Sequence, residues 1–294
     1  MHPTTTSNSP APATPKKPGL LINRNFALLW SGQTISIIGD FAFSTTLAVW
    51  VFTLSLGQPW APLAVTGVYI ATALPMILIG PLAGVFVDRW NKRRTMLVMD
   101  VLSAILVAAL LPLTGIVPLG ALAQLPGVGD TLGSILSSIL VGGQPSFEWR
   151  LGTIYAVVFL VSGVGQFFAP SKTALIGDLV PDPLRGRAIG LSQASQSIAL
   201  LLGTLIAPPL FVAFGAQWTL TFDALSFIVS YLAIRAISAP AAASSLRAGE
   251  RGHVGRELVA GIRFSLRSRV LRTILIAAII VMAGAGVTNS LDVF

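Results

Sequence analysis

The sequence predicts an all-α, polytopic membrane protein with about seven transmembrane helices, and two observations predict it. Apolar residues make up 54% of the 294 residues and charged residues only 10%, against about 25% charged in soluble domains. Seven apolar stretches are long enough for a bilayer crossing, which takes roughly 20 residues. Their approximate limits are 27–54, 63–86, 96–118, 151–176, 188–213, 218–237 and 270–290.

The segments around these spans divide the chain. Residues 1–24 are rich in proline, threonine, serine and alanine, which predicts a disordered arm. The first span is too long for the apolar core of a signal peptide. Residues 25–237 then form a unit of six spans, residues 238–269 form a middle loop, and residues 270–294 form the seventh span, which begins an incomplete second unit.

The distribution of lysine and arginine predicts the orientation. Short loops on the cytoplasmic side retain basic residues. With a cytoplasmic N-terminus, eighteen of the nineteen basic residues lie inside, Lys172 among them, and only Arg150 lies outside. The net charge of +8 then faces anionic lipid of the inner leaflet, and nucleic-acid binding is not expected.

Two connections have the pattern of amphipathic helices. Residues 130–141 carry an apolar stripe, with Asp130 as an N-cap, and predict a short helix on the outer surface. Residues 254–268 carry apolar residues on one face and arginines on the other, and predict an interfacial helix on the inner leaflet.

The composition argues against several kinds of chemistry. The chain has no cysteine, and its two histidines, His2 and His253, lie outside the apolar stretches. Disulfides, thiol chemistry and a His/Cys metal site are therefore not expected. The phosphate-loop pattern GxxxxGK[ST] does not occur in the sequence. We expect neither an enzyme nor a cofactor.

The stretch GVFVDRWNKRR at 84–94 concentrates five charges between spans 2 and 3. It resembles the signature of the major facilitator superfamily, approximately G-x-x-x-D-R-x-G-R-R/K, although Asn91 stands near the usual glycine and the turn is one residue longer. The matching residues are Gly84, Asp88, Arg89, Arg93 and Arg94.

Three more stretches, at 23–43, 188–203 and 221–237, are similar to the efflux branch that includes macrolide and enterobactin exporters. The resemblance implies the amino-terminal six-helix half of that fold plus span 7, in a bacterial inner membrane. It also implies export of a small drug- or siderophore-like amphipathic molecule by proton antiport and alternating access. Span 5 departs from the antiporter pattern G-P-x-x-G, because Ala207 replaces a glycine and the prolines are displaced to Pro208 and Pro209.

The same resemblance implies a conformational latch at the charged turn, which in that family grips a helix of the second half. We assign to it Gly84, Asp88, Arg89, Arg93, Arg94 and Asp100, with the two acids sharing the arginines of the turn and Arg185 and Arg187. Gly80 and Gly84, four residues apart, predict the close approach of another helix. Pro75 and Pro81 predict a broken span 2, matched by the prolines of span 5.

Span 1 places Gln33, Ser36, Asp40 and Ser44 on one stripe, with Asp40 as the one acid near the middle of a span. A carboxylate there is costly unless it is paired, hydrated or protonated. Asp40 is therefore a proton-coupling candidate, and the alternative is a structural acid at a helix contact beside Gly39. We interpret Asp223 as a local hydrogen-bonding group near the outer end of span 6.

Other polar side chains in the spans must face protein or water. They are candidates for lining a substrate cavity or, equally, for interhelical hydrogen bonds: Gln33, Ser36, Ser44, Ser162, Gln166, Gln193 and Gln196. The small residues Ser195, Ala199, Gly203 and Ala207 form a ridge that predicts helix packing.

A complete major facilitator has two six-span halves with the substrate site between them. We therefore expect transport to need a missing second half or self-association. Two alternatives stay open, a non-transporting membrane assembly partner and an inactive truncated remnant. A mainly apolar cavity with a few amides does not identify its ligand.

Overall fold

A computed structural model describes residues 22–115, 140–141, 144–238 and 273. Within these residues, six helical segments are long and apolar enough to cross a membrane, and they coincide with the first six predicted spans. The predicted arm before residue 22, the interfacial helix at 254–268 and, apart from Thr273, the seventh span lie outside the described residues.

Seven helices build the six spans, because span 2 consists of two. They are α1 (Arg24–Leu54), α2 (Ala61–Leu78), α3 (Gly80–Arg89), α4 (Lys92–Ala108), α5 (Phe147–Leu179), α6 (Asp182–Phe214) and α7 (Ala216–Arg235). A 3₁₀ turn at Leu111–Thr114 follows α4. Spans 3, 4, 5 and 6 of the sequence are therefore α4, α5, α6 and α7.

Two short strands, β1 (Leu140–Val141) and β2 (Gln144–Pro145), pair antiparallel before α5. They contradict the end of the surface helix predicted over 130–141, the rest of which lies outside the described residues. Gly142 and Gly143 separate the strands in the sequence. A glycine pair favours a two-residue hairpin over a helix.

Span 2 breaks where the prolines predict it. Helix α2 ends at Leu78, and α3 begins at Gly80 with Pro81 in its first turn. Proline has no N–H to donate, and its ring clashes with the preceding turn, so a helix restarts there readily. Helix α6, in contrast, continues through Pro208 and Pro209 to Phe214, so the break has no match in span 5.

Helix α1 lies at the centre of the bundle, where it packs against α6 and α7, while α4 packs against α5 and α7. Small residues allow these helices to approach each other closely. A β-carbon on Gly32 would lie 2.6 Å from Cβ of Ala233 in α7, and one on Gly203 would lie 2.6 Å from Cβ of Phe41 in α1. All four residues of the predicted small ridge on α6 are buried, which confirms it as a packing surface.

The apolar residues divide between the inside of the bundle and its outer surface. Leu47, Val51 and Leu220 are fully buried inside the bundle. On α6, Leu201 is 69% and Leu205 73% exposed. Large apolar side chains turned outward are expected of a helix that faces lipid, because hydrocarbon there replaces water.

Candidate functional site

The ends of several helices meet on one side of the bundle. Asn23 Nδ2 donates to the Leu179 carbonyl at 2.8 Å, which joins the start of α1 to the end of α5. Asn25 Nδ2 donates to the Ser238 carbonyl at 2.9 Å, and its Oδ1 accepts from the Ser238 N–H at 3.3 Å. We call this side the basic end and define it as residues 22–25, 90–94, 177–187 and 234–238.

Two basic residues of the charged turn bind neighbouring helices at this end. Lys92 Nζ lies 2.8 Å from Asp178 Oδ2 of α5. Arg93 donates from Nε to the Ile234 carbonyl at 3.1 Å and from Nη2 to the Arg235 carbonyl at 2.6 Å. A cation on the last carbonyls of a helix also complements the helix dipole. The turn is therefore fixed to α5 and α7 of this same half.

The remaining turn residues of the predicted latch differ in their surroundings. Asp88 and Arg89 are the last residues of α3, and the structure describes only their backbone. Arg94 is exposed, and its N–H donates at 3.1 Å to Oδ1 of Asn91, the N-cap of α4. Asn91 therefore starts the helix where the related signature has a glycine.

The expected close helix approach is found at one of the two glycines. A β-carbon on Gly80 would lie 3.3 Å from Oε1 of Gln166 in α5, which is a tight contact. Gly84 instead faces open space among the described residues. Among the described residues, Gly80 therefore brings two helices close together, and the expectation at Gly84 stays a prediction.

Asp100 lies in a buried hydrogen-bonded chain of three side chains. It is 2% exposed and accepts from Ser230 Oγ at 2.7 Å, and Ser230 Oγ in turn accepts from Gln33 Nε2 at 2.8 Å. The chain links α1, α7 and α4. Asp100 is seven residues beyond Arg93, about 10 Å along the helix.

The arginines that were expected to share Asp100 have other partners. Arg93 binds the end of α7, while Arg185 pairs with Asp182 at 2.5 Å and donates to the Gly177 carbonyl at 2.7 Å. Arg187 is exposed at the start of α6. In the described contacts, Asp100 is therefore hydrogen-bonded to a serine and not to any of these three arginines.

The polar stripe of α1 runs from buried to exposed. Gln33 and Ser36 are buried, Asp40 is half-buried and Ser44 is exposed. Ser44 Oγ donates to the Asp40 carbonyl at 2.8 Å, a bond within the helix. Asp40 lies near the middle of the 31-residue helix α1, so its carboxylate is at the depth that the sequence predicted.

Lys172 of α5 is the nearest basic partner of Asp40, and the two side chains interact electrostatically. The sequence places Lys172 at the end of span 4, on the inner side, and the structure places it inside α5. It lies seven residues before the end of α5 at Leu179, about 10 Å inside the helix. A lysine among apolar neighbours can be recognised in the sequence, but its partner on α1 cannot.

A cleft between α1, α5 and α6 extends from the basic end towards this pair. Phe26, Leu29, Trp30, Gln33, Thr34, Ile37, Lys172, Ile176, Ser192 and Ser195 line it. Trp30 Nε1 donates to Ser195 Oγ at 2.9 Å, which fixes the indole at the wall. The lining combines an apolar surface with a few polar groups and one cation.

The other cavity candidates lie outside this cleft. Gln166 Nε2 donates to the Ser162 carbonyl at 3.2 Å, within α5, and both residues are half-buried. Gln193 and Gln196 are exposed on α6. On α6, the cleft is lined by Ser192 and Ser195.

Asp223 is an interior acid whose complete burial was not predicted from the sequence. It is fully buried, as are its stripe neighbours Thr219, Ser226 and Ser230 on α7. This stripe has helical spacing, with steps of four, three and four residues, and was the signal that could have revealed it. Asp100 and Asp223 also lie buried in the middle parts of their helices. The prediction that Asp40 is the one acid near the middle of a span is therefore wrong.

Comparison with known proteins fits this arrangement. The family model of the Major Facilitator Superfamily matches residues 29–294. The uncharacterized MFS-type transporter YkuC of Bacillus subtilis is 23% identical over 218 residues, which cover 74% of this chain and 43% of that protein. Macrolide efflux protein A of Streptococcus pyogenes is 20% identical over 215 residues, which cover 73% of this chain and 45% of that protein.

The chain thus spans less than half the length of these relatives. No solved structure matches it. The match to the family model covers most of the chain, and the six apolar helices agree with it. The chain belongs to the major facilitator superfamily.

Proposed function

We propose that the chain is the amino-terminal half of a secondary active transporter that exports a small amphipathic molecule by proton antiport and alternating access. The observation that carries this proposal is the half-buried Asp40, at the middle of α1, facing Lys172 beside an amphipathic cleft. The efflux function for which the macrolide relative is named supports the direction of transport. The substrate is of the drug- or siderophore-like kind.

The proposed coupling uses the charge of Asp40. An ionised carboxylate inside a span is tolerated when a cation compensates it or when it takes up a proton. Lys172 supplies that compensation in the unprotonated state. In this scheme, binding of substrate in the cleft and protonation of Asp40 are mutually exclusive. Entry of a proton therefore accompanies exit of the substrate. Trp30 and the apolar wall bind the apolar body of the substrate.

The charged turn is proposed as the conformational latch of this cycle. Lys92 and Arg93 fix it to α5 and α7, so the turn moves with these helices as one body. Asp88, at the end of α3, is proposed to reach a helix of the opposite half. The second wall of the substrate site comes from a second six-helix unit, by connection or by self-association, because this fold works by one half rocking against the other.

We place the protein in the plasma membrane, with the basic end in the cytoplasm. Arg24, Lys92, Arg93, Arg94 and Arg187 all lie at that end or immediately beside it. A cytoplasmic position would put them against anionic lipid, which attracts basic residues.

The test of the function is Asp40→Asn, introduced into the protein in its own membrane. Asparagine keeps the shape of the side chain and cannot carry the proton. We expect energised vesicles to lose uphill transport of an amphipathic dye such as ethidium, while movement of the dye down its gradient continues. The matched control is Asp182→Asn, at an exposed acid at the start of α6 that pairs with Arg185, which should keep uphill transport. If Asp40→Asn leaves pH-driven transport unimpaired, Asp40 is a structural acid.

A further inference from the structure

The contact between α1 and α7 encloses the carboxyl group of Asp223. The side chain is 0% exposed. A β-carbon added to Gly39 of α1 would lie 2.5 Å from Asp223 Oδ1 and 2.7 Å from Ser226 Oγ. In this arrangement a β-carbon at position 39 would overlap the carboxyl group, so the acid is packed directly against the backbone of α1.

Hydrogen-bond donors are scarce around this group. Oδ2 is buried and has no hydrogen-bond partner among the described residues. The nearest donor to Oδ1 is Ser226 Oγ at 3.5 Å. That hydroxyl has one proton, and it donates at the shorter distance of 2.7 Å to the backbone carbonyl of Asp223. The carboxyl group therefore receives at most one weak hydrogen bond.

Cations are also distant on the elements that pack against α7. Helices α1, α4 and α6 carry their described basic residues, Arg24, Lys92, Arg93, Arg94, Arg185 and Arg187, within their first six residues. Arg235, on α7 itself, is twelve residues away, about 18 Å. The 3₁₀ turn at Leu111–Thr114 carries no charge.

The other described charges on these elements are the acids Asp40 of α1 and Asp100 of α4, and Asp182 at the far end of α6. Lys172 of α5 is a cation within a span, and it acts on Asp40. An ionised Asp223 would therefore have the like charge of Asp40 nearby and no described counter-charge on the elements packed against it. A buried ion without a partner is far more costly than a neutral polar group.

We propose that Asp223 is a second proton-binding site of this half, separate from Asp40, and that its carboxyl group holds the proton in the packed α1–α7 contact. Protonation converts the carboxylate into a neutral carboxylic acid. Loss of that proton requires water or a cation to reach the site, and therefore requires α1 and α7 to part at Gly39. Proton release at Asp223 and separation of these two helices are one event.

Infrared spectroscopy of the purified chain in lipid tests this inference without any transport assay. A protonated carboxylic acid in an apolar site has a carbonyl-stretch band that a carboxylate lacks. We expect this band at neutral pH in the wild-type chain and expect Asp223→Asn to remove one component of it. Asp40→Asn, the matched control, should retain it. A spectrum without the band, or one that Asp223→Asn leaves unchanged, would overturn the proposal.

A second variant keeps the test decisive if Asp223→Asn does not fold. Ser226→Ala retains the acid and removes the one hydroxyl near Oδ1. The band should then persist, because this hydroxyl gives the carboxyl group at most one weak hydrogen bond. Loss of the band in Ser226→Ala would overturn the proposal, since burial and not this hydroxyl is proposed to hold the proton. Failure of transport in Asp40→Asn would leave this result untouched, so the two proposals fail separately.

Discussion

The basic end and the interior of the bundle treat charge in opposite ways. At the basic end, Lys92 pairs with Asp178 and Arg93 binds the carbonyls of α7, all at partly exposed positions. In the interior, Asp100 has a serine for a partner, and Asp223 has one buried oxygen without a hydrogen bond. The charges at the edge thus have charged or carbonyl partners and access to solvent, whereas Asp100 and Asp223 are buried and have no described cation as a partner.

The difference teaches where charge is structural and where it is functional. Charge at a membrane edge is cheap, because water and headgroups solvate it, and it serves to orient and connect helices. Charge inside a span is expensive and persists where a transported ion or proton requires it. The interior acids are therefore the functional candidates, and the basic end is the anchor.

The sharpest way to break this comparison is to show that the basic end faces outward. Gln58, between α1 and α2, and Gly186, near the start of α6, are both exposed and lie at opposite ends of the bundle. The chain has no cysteine, so Gln58→Cys and Gly186→Cys each provide one thiol. An impermeant thiol reagent on intact cells should label Gln58→Cys alone.

Permeabilised cells are the control, in which both variants should be labelled. Labelling of Gly186→Cys in intact cells, with Gln58→Cys protected, would reverse the orientation. The basic end could then no longer be an anchor at the inner leaflet.

A smaller effect is expected from removing one hydroxyl in the interior. Ser230→Ala would leave both Asp100 and Gln33 without their hydrogen bond in a buried site. Leaving such groups unpaired costs about 1–3 kcal/mol. We expect the free energy of unfolding in mixed detergent to fall by about that amount.

The matched control for this measurement is Ser197→Ala, an exposed serine whose hydroxyl bonds within α6 to the Gln193 carbonyl. It should be nearly neutral. An equal fall in the free energy of unfolding in the two variants would mean that burial of the hydrogen-bonded chain contributes nothing to stability.

The sequence predicted the fold well, because the bilayer itself imposes the pattern. The first six spans follow from apolar length alone, and the break in span 2 follows from Pro81. Helix packing was predictable where small residues recur every four positions, as in the ridge with Gly203. The hairpin at β1 and β2 was missed because an apolar stripe outweighed the two glycines at 142–143.

The candidate site was predictable only in part, since partners across helices leave no trace in one helix. Asp40 was identified by its depth in span 1. Lys172 was placed at the end of span 4, because the sequence did not show that α5 continues to Leu179. Asp223 was judged alone, although Ser226 and Ser230 complete a buried stripe with it. Which stripes face each other depends on packing, which one sequence does not show.

The smallest effect is expected at the edge, from Lys92→Gln. The side chains of Lys92 and Asp178 are 30% and 32% exposed, and a solvated ion pair contributes only about 0–1 kcal/mol. We expect the free energy of unfolding to fall by no more than this. Salt should reduce the difference from wild type further, because mobile ions screen exposed charges. Arg94→Gln, at an exposed residue of the same turn, is the control and should change nothing measurable. The loss in Ser230→Ala, by contrast, should be independent of salt, since no mobile ion reaches a buried hydroxyl. If Lys92→Gln costs as much as Ser230→Ala and resists salt, the pair is an interior interaction, and the contrast between edge and interior is mistaken.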